Sequence, residues 1–315
     1  MAAPRTTCAG LVAVLAAVLG PSSLATADPD RSSTVAHGGR VIPLTIGLVA
    51  DVQYCDCAPR RTRYYRSSLA KLADAAALFN ERDLDFTIQV GDIIDRDAES
   101  FDRVLPVYGR VDGARHHVLG NHDFPLPAEE VVELLRMPGG YYDFTRGGWR
   151  FVVLDTNDIS LYANKIGSAD HRRAQRLLDE LRAAGAPNAK AFNGAVGAQQ
   201  LTWLRGVLSD ASAAGQPVLV FGHMPIHGHS AHNAWDDDAI RSALRAAGNV
   251  VAYVNGHDHA GGYAQKQGIH HLGLRAMVER SPTSNAYAVM HLGRTVLRIE
   301  GFGREPDRRL DIGTR

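Results

Sequence analysis

Cysteine is scarce in this chain, with 3 among 315 residues, so a small scaffold stapled by disulfides is excluded. Excess charge is absent: 34 basic residues balance 34 acidic ones. No global field therefore draws the protein to nucleic acid or an anionic membrane, and any anion must be bound at a local site. The apolar N-terminal stretch over 8–19 is too short to cross a bilayer permanently and has no stop-transfer flank. Internal repeats and low-complexity tracts are missing too, and 45% hydrophobic against 22% charged residues rules out disorder and collagen-like structure. What the sequence does have in quantity is histidine, 14 in all.

Arg5, the apolar stretch, Gly20-Pro21 and then Ala25-Thr26-Ala27 before Asp28 follow the order of a secretory signal peptide. This predicts a cleaved leader over 1–27, a flexible polar leader over 28–40, and a secreted, periplasmic or cell-envelope protein with no stable membrane insertion after cleavage. Two cysteines then remain, Cys55 and Cys57. Export makes a bond between them conceivable. A bridge across a single residue is strained, so two partly buried thiols are the expectation.

Beyond the leader the pattern alternates apolar strand, loop and helix. Strands are expected at 44–50, 86–90, 116–119, 149–154 and 218–221, and helices at 63–82, 99–108, 128–135, 169–184 and 196–211. A long polar excursion over 157–193 reads as an insertion. The C-terminal third changes to short strands at 250–254, 262–264, 269–272, 286–291 and 296–300. Alternating β/α units followed by a strand-rich tail predict an α/β fold, two packed sheets flanked by helices, in a single domain over 41–312.

Polar residues cluster where the expected strands end: Asp51 and Gln53, Gly91-Asp92 with Asp95, Gly120-Asn121-His122-Asp123, Gly222-His223, and Gly256-His257-Asp258-His259. Ligands bind outside the carboxyl ends of strands in open α/β sheets, so five scattered segments can converge on one cleft. Carboxylate, carboxamide and imidazole suit borderline divalent metals such as Mn, Fe or Zn, and the set is large enough for two ions sharing one carboxylate. Such a pair can clamp both oxygens of an in-line displacement at phosphorus. Any one of these segments is weak evidence; all five in order, each after an apolar strand, are strong.

That order, Asp-x-Gln, Gly-Asp-x-x-Asp, Gly-Asn-His-Asp, Gly-His and Gly-His-x-His, resembles the calcineurin-like metallophosphoesterase superfamily. Most members have histidine where this chain has Gln53. With glutamine there, Asp51-Val52-Gln53-Tyr54 is similar to the manganese-dependent ADP-ribose/CDP-alcohol diphosphatases. The likeness continues through Arg63-Tyr64-Tyr65-Arg66, Phe192-Asn193-Gly194, Gln200-Leu201-Thr202-Trp203 and Gly303-Arg304-Glu305-Pro306-Asp307-Arg308, over about 44–310.

The resemblance implies a four-layer α/β/β/α sandwich of two mixed β-sheets. It implies two divalent cations, Mn first, with Fe, Zn or Mg as alternatives. Asp51, Gln53, Asp92 and His259 would hold one; Asn121, His223 and His257 would hold the other, with Asp92 bridging. His122 would meet the phosphate and Asp123 would orient its imidazole, while a metal-bound hydroxide attacks. Replacing an imidazole by Gln53 hardens the first site and favours manganese over zinc.

Around these, Arg63 and Arg66 are candidates for the diphosphate, and Tyr54 and His227 for other substrate contacts; His229 and His232 share the loop of His227. Asp95 is expected to order its loop. The loop over 55–62 has no aromatic residue, so a stacking face for a base is sought in Trp235, Phe192 or Phe124.

The expected activity is hydrolysis of the phosphoanhydride in nucleoside diphosphate-linked compounds such as ADP-ribose and CDP-alcohols. The partner is thus a small nucleotide or phosphoanhydride, not nucleic acid. The alternative is a phosphodiesterase or phosphomonoesterase using the same dinuclear site on cyclic nucleotides, glycerophosphodiesters or simple esters. A metal-stripped binding scaffold would lack ligands or His122, and neither is missing. Purple phosphatases are disfavoured, because Ile94 and Asp95 stand where a charge-transfer tyrosine would be needed.

Overall fold

A computed structural model of the chain describes residues 1–2, 41–228 and 230–313. The expected leader over 1–27, apart from Met1 and Ala2, the stretch 28–40 and His229 lie outside the described residues. Among the described residues no helix is long and apolar enough to cross a membrane. From Val41 onward they belong to one compact unit.

Its strands are β1 (Leu44–Val49), β2 (Phe86–Val90), β3 (Ala114–Val118), β4 (Tyr142–Arg146), β5 (Trp149–Val153), β6 (Val218–Phe221), β7 (Val250–Asn255), β8 (Gly262–Lys266), β9 (Ile269–Gly273), β10 (Ala286–Leu292), β11 (Val296–Gly303) and β12 (Arg308–Asp311). They form two six-stranded mixed sheets, ordered β12-β11-β10-β1-β2-β3 and β4-β5-β6-β7-β9-β8. In the first, β1, β2 and β3 run parallel; in the second, β5, β6, β7 and β9 do. The apolar inner faces meet: Ile46, Phe86 and Ile88 share a core with Phe151, Leu219, Phe221 and Val254. Phe86 meets Phe151 edge-on at 5.0 Å between centroids.

Helices α1 (Ser68–Asn80) and α2 (Glu99–Tyr108) cover the outer face of the first sheet. Phe79 of α1 packs edge-on against Tyr287 at 5.7 Å, and the Tyr108 hydroxyl of α2 donates to Thr87 Oγ1 at 3.2 Å. Gly47 fits there for lack of a side chain: a Cβ would lie 2.8 Å from Thr87 Cγ2 and 3.1 Å from Phe79. After α3 (Ala128–Leu134) and α4 (Ala169–Ala183), helices α5 (Ala198–Ala213) and α6 (Asp237–Ala247) cover the second sheet, where Leu204, Leu208, Ile240 and Leu244 pack on Val152, Val220 and Tyr253. The architecture is thus the four-layer α/β/β/α sandwich. Ala174 and Leu178 of α4 meet Ile159, Ala195 and Trp235 in a smaller, separate core.

Four elements depart from the sequence reading. β4 and β12 are additional strands, and α6 is an additional helix whose Ile240, Ala243 and Leu244 are buried at helical spacing. The helix expected from 63 begins at Ser68, because Arg63 is held extended by bridges to Arg60 and Glu279 and a single 3-10 turn, Tyr65–Ser67, comes first.

Phe151 is wholly buried between the sheets and also stacks on Phe144 at 5.0 Å. Phe151→Ala should therefore cost about 3–5 kcal/mol in urea unfolding; a loss under about 1 kcal/mol would mean that the sheets do not share this core.

Candidate metal centre

The five polar segments leave the carboxyl ends of parallel strands: β1 leads to Asp51 and Gln53, β2 to Asp92, β3 to Asn121 and His122, β6 to His223, and β7 to His257 and His259. The backbone there is unusual. Asp51, Gln53, Asp92 and His257 all have positive φ, between 42° and 66°, in the left-handed region that residues with a side chain seldom adopt. The glycines make room for close approach. A Cβ on Gly91 would stand 2.2 Å from His223 Nδ1, one on Gly120 2.2 Å from Asp92 Oδ1, and one on Gly256 2.6 Å from Asp51 Oδ2. Only glycine fits at these three positions.

Asp92, Asp51, Gln53, His223 and His257 are all buried. Asp92 Oδ2 lies 2.9 Å from Gln53 Nε2 and 3.3 Å from His223 Nε2, so one carboxylate oxygen meets both of the expected ligand groups. Its Oδ1 accepts the His122 backbone N–H at 2.8 Å. On one side His259 Nε2 faces Asp51 Oδ1 at 3.7 Å, and Asp51 accepts the His257 backbone N–H at 3.1 Å. On the other, His223 Nε2 is 3.2 Å from both Asn121 Oδ1 and His257 Nδ1. Asp92, His223 and His257 offer atoms within 4.8 Å of one another.

Each imidazole is aimed by a partner on its other nitrogen. His223 donates from Nδ1 to the Val90 carbonyl at 2.9 Å, His257 from Nε2 to Asn193 Oδ1 at 2.9 Å, and His259 from Nδ1 to Glu279 Oε1 at 2.8 Å. When each ring is neutral, the nitrogen turned inward, toward Asp92 in His223, Asp51 in His259 and His223 in His257, is the unprotonated one, the arrangement that metal-ligating histidines require. Gln53 Oε1 is buried without a hydrogen-bond partner, an orphaned neutral oxygen of the kind a hard cation satisfies. The donor set fits two divalent ions sharing Asp92.

Burial raises the Asp51 carboxyl above its ordinary range, against the pull of His259 and His223. Burial acts the same way on Asp92, but His223 and His122 outweigh it and hold that carboxyl below the usual range. His223 is raised to about 9: burial opposes the charged form, yet Asp92 beside it prevails. Burial, with His223 adding, keeps His257 well below the ordinary value. This is the pattern of a dry pocket that stabilises an anion only where a cation touches it.

Several expected roles are corrected. Asp123 does not orient His122. Its carboxylate accepts the backbone N–H groups of Asp92, Ile93 and Gly120 at 3.0, 2.9 and 2.8 Å, so it braces two ligand loops. The His122 ring is held instead by Asp95, whose carbonyl accepts Nδ1–H at 2.6 Å and whose Oδ1 is 3.6 Å away. Tyr54 does not line the cleft: it bridges Ile94 and is buried in the shared core. Trp235 is buried in the smaller core beside α4, its indole donating to the Lys190 carbonyl at 3.1 Å, so it offers no stacking face. Arg66 is committed to Asp56 on the surface, with a 3.0 Å bond to that residue's carbonyl. Cys55 and Cys57 are joined as a disulfide, with Cα atoms 5.2 Å apart.

Other candidates stay near the site. Arg63 Nε lies 3.8 Å from Glu279, the residue that aims His259. His227 stacks on His271 at 4.8 Å and lines a cavity with Asp258 and Tyr263. Phe192, which is exposed, stands 5.7 Å from both His257 and His232; Phe124 packs on Tyr162 instead, at 5.9 Å. Asn193 and Glu279 had no role in the sequence reading. Asn193 lay within a matched motif, whereas no spacing marks Glu279.

Comparison with known proteins gives the family. The calcineurin-like phosphoesterase family model matches residues 44–261. A manganese-dependent ADP-ribose/CDP-alcohol diphosphatase of Oryza sativa subsp. japonica is 33% identical, the match covering 87% of this chain and 96% of the relative. Its counterpart in Arabidopsis thaliana is 32% identical, covering 82% and 94%. The crystal structure of a dimetal phosphatase from Danio rerio is 30% identical with a TM-score of 0.77, covering 86% of this chain and 99% of the other.

If Glu279 and Asn193 aim the imidazoles as described, Glu279→Gln and Asn193→Ala should each weaken manganese binding about 10–100-fold in calorimetric titration. Affinities equal to the parent's would contradict the assignment.

Proposed function

Because this chain belongs to the calcineurin-like phosphoesterase family, we propose that it is a metal-dependent hydrolase cleaving the phosphoanhydride of nucleoside diphosphate-linked compounds of the ADP-ribose and CDP-alcohol kind. The observation that carries this reading is the pair Asp92 and Gln53: a carboxylate reached from two ligand groups, beside an orphaned amide oxygen where most of the superfamily has histidine. Asp51, Gln53, Asp92 and His259 would hold one cation, and Asn121, His223 and His257, with Asp92 shared, the other. When bound, the cations supply electrophilic activation of a phosphoryl oxygen and of the attacking water.

The chain's own residues do the rest. Asp95 fixes His122 through Nδ1, which leaves Nε2 of a partly exposed ring as the atom that meets the phosphate and gives a proton to the departing oxygen. Arg63, tethered beside His259, supplies charge for a diphosphate, and Phe192 supplies an exposed ring face for a base. Closely related diphosphatases named for ADP-ribose and CDP-alcohols support this substrate class.

Export is part of the proposal. The apolar stretch 8–19 and Ala25-Thr26-Ala27 support it, and a disulfide between Cys55 and Cys57 suits an oxidising compartment.

With manganese, ADP-ribose or CDP-choline should be turned over faster than cyclic AMP or p-nitrophenyl phosphate; the reverse order would overturn the substrate class. His122→Ala should keep both ions and lose about 10²–10⁴-fold in kcat, whereas ion loss in that variant would remove its role at the phosphate. N-terminal sequencing of protein from an expressing culture should begin at Asp28 in the exported fraction; intact Met1 there would refute cleavage.

A further inference from the structure

Beside the metal centre lies a cavity of about 400 Å³ lined by His259, Thr62, Arg275, Glu279, Arg280 and Arg304, with Ala260 completing the wall. Three guanidiniums thus face one carboxylate, and that carboxylate is already engaged: Glu279 holds His259 at 2.8 Å and Arg63 at 3.8 Å. Glu305 accepts the Arg275 backbone N–H at 2.8 Å and pairs with Arg308. Among the described residues, none of Arg275, Arg280 and Arg304 has a carboxylate partner within ion-pair distance.

The three are held together in spite of their charge. Arg304 donates to the carbonyls of Ala276 and Glu279 at 2.5 and 3.2 Å, and Arg275 donates to the Arg304 carbonyl. Arg304 Nε is buried with no partner. The backbone of Arg280 is in the left-handed region, φ 70°, fixed by a 2.6 Å bond from its N–H to the Thr62 carbonyl. Behind this segment the buried ammonium of Lys71 donates to the Met277 and Glu279 carbonyls at 2.9 Å each. Backbone carbonyls, rather than carboxylates at ion-pair distance, hold the guanidiniums of Arg275 and Arg304 in place, and exposed Arg280 is fixed through its backbone. Burial lowers Arg304 from its ordinary value, with Arg275 and Arg280 adding, against the opposite pull of Glu279 and Glu305.

We propose that this cavity receives the second, non-reacting phosphoryl group of a diphosphate-linked substrate, with the sugar or alcohol attached to it. This rests on the hydrolase reading above and extends it. The reacting phosphorus lies over the Asp92 centre; the neighbouring phosphoryl group, on the His259 side, meets the guanidiniums of Arg280, Arg275 and Arg304 that line the cavity. A monoester has no group to place there, so the cavity selects for phosphoanhydrides.

The test uses inorganic probes on the manganese-loaded protein, so that it needs neither turnover nor a nucleotide. Imidodiphosphate and orthophosphate are titrated calorimetrically into the parent, Arg280→Gln, Arg280→Lys and Arg275→Gln. Arg280→Gln and Arg275→Gln should each weaken imidodiphosphate about tenfold while orthophosphate changes less than about twofold, and Arg280→Lys should recover part of the loss. An equal fall for both anions, or unchanged imidodiphosphate binding, overturns the proposal. A parent that binds the probes as expected but fails to hydrolyse ADP-ribose would refute the substrate class instead and leave the anion subsite standing.

Discussion

Everything in this molecule depends on keeping one carboxylate charged where water cannot reach it. Asp92 follows a central strand and is buried, and an isolated anion in such a place would take up a proton rather than stay ionised. It stays ionised because His223 approaches from one side while Gln53 and the His122 backbone N–H donate from others. His223 and the Gln53 side chain are also among the groups that would hold cations there. Stabilising a buried charge and binding metal are one problem here, with one solution.

That solution governs the surrounding backbone. Positive φ at Asp51, Gln53, Asp92 and His257 turns each ligand inward immediately after its strand, and the strain is sustained by bonds between the loops. The Gln53 N–H reaches the Asp92 carbonyl at 2.8 Å, and Asp51 N–H the Gly91 carbonyl at 3.1 Å. Asp123 then draws the Asp92 and Gly120 loops onto one carboxylate. Two sheets with matching parallel strands present their carboxyl ends to the same cleft, so ligands distant in sequence meet without long connections.

The sequence revealed the parts whose signals are local. β6 is an unbroken apolar run, β2 alternates Phe86, Ile88 and Val90 with polar residues, and α2 repeats its buried residues at helical steps, so their bounds coincide with the structure. β4 escaped notice because Asp143, Thr145 and Arg146 interrupt its apolar residues; it exists only by pairing with β5 across Gly147-Gly148. β12 has a single buried apolar residue, Leu310, and is an edge strand beside β11. α6 opens on a run of aspartates that reads as loop, yet its Ile240 and Leu244 pack on the second sheet. At the site, the ligand residues were legible because glycine and strand ends mark them. The roles of Asp123 and Asp95 were not, since which carboxylate meets the His122 ring depends on how the β2 and β3 loops cross. Glu279 was invisible for the same reason: it reaches His259 from 20 positions away through tertiary packing alone.

The central claim is that a single buried carboxylate joins two ion positions. Anomalous diffraction at the manganese edge from crystals of the loaded protein tests it most directly. The account predicts two peaks about 3.5–4 Å apart with the Asp92 carboxylate between them, one peak beside Gln53 and His259 and the other beside His223 and His257. A single peak, or two peaks neither of which touches Asp92, would contradict it.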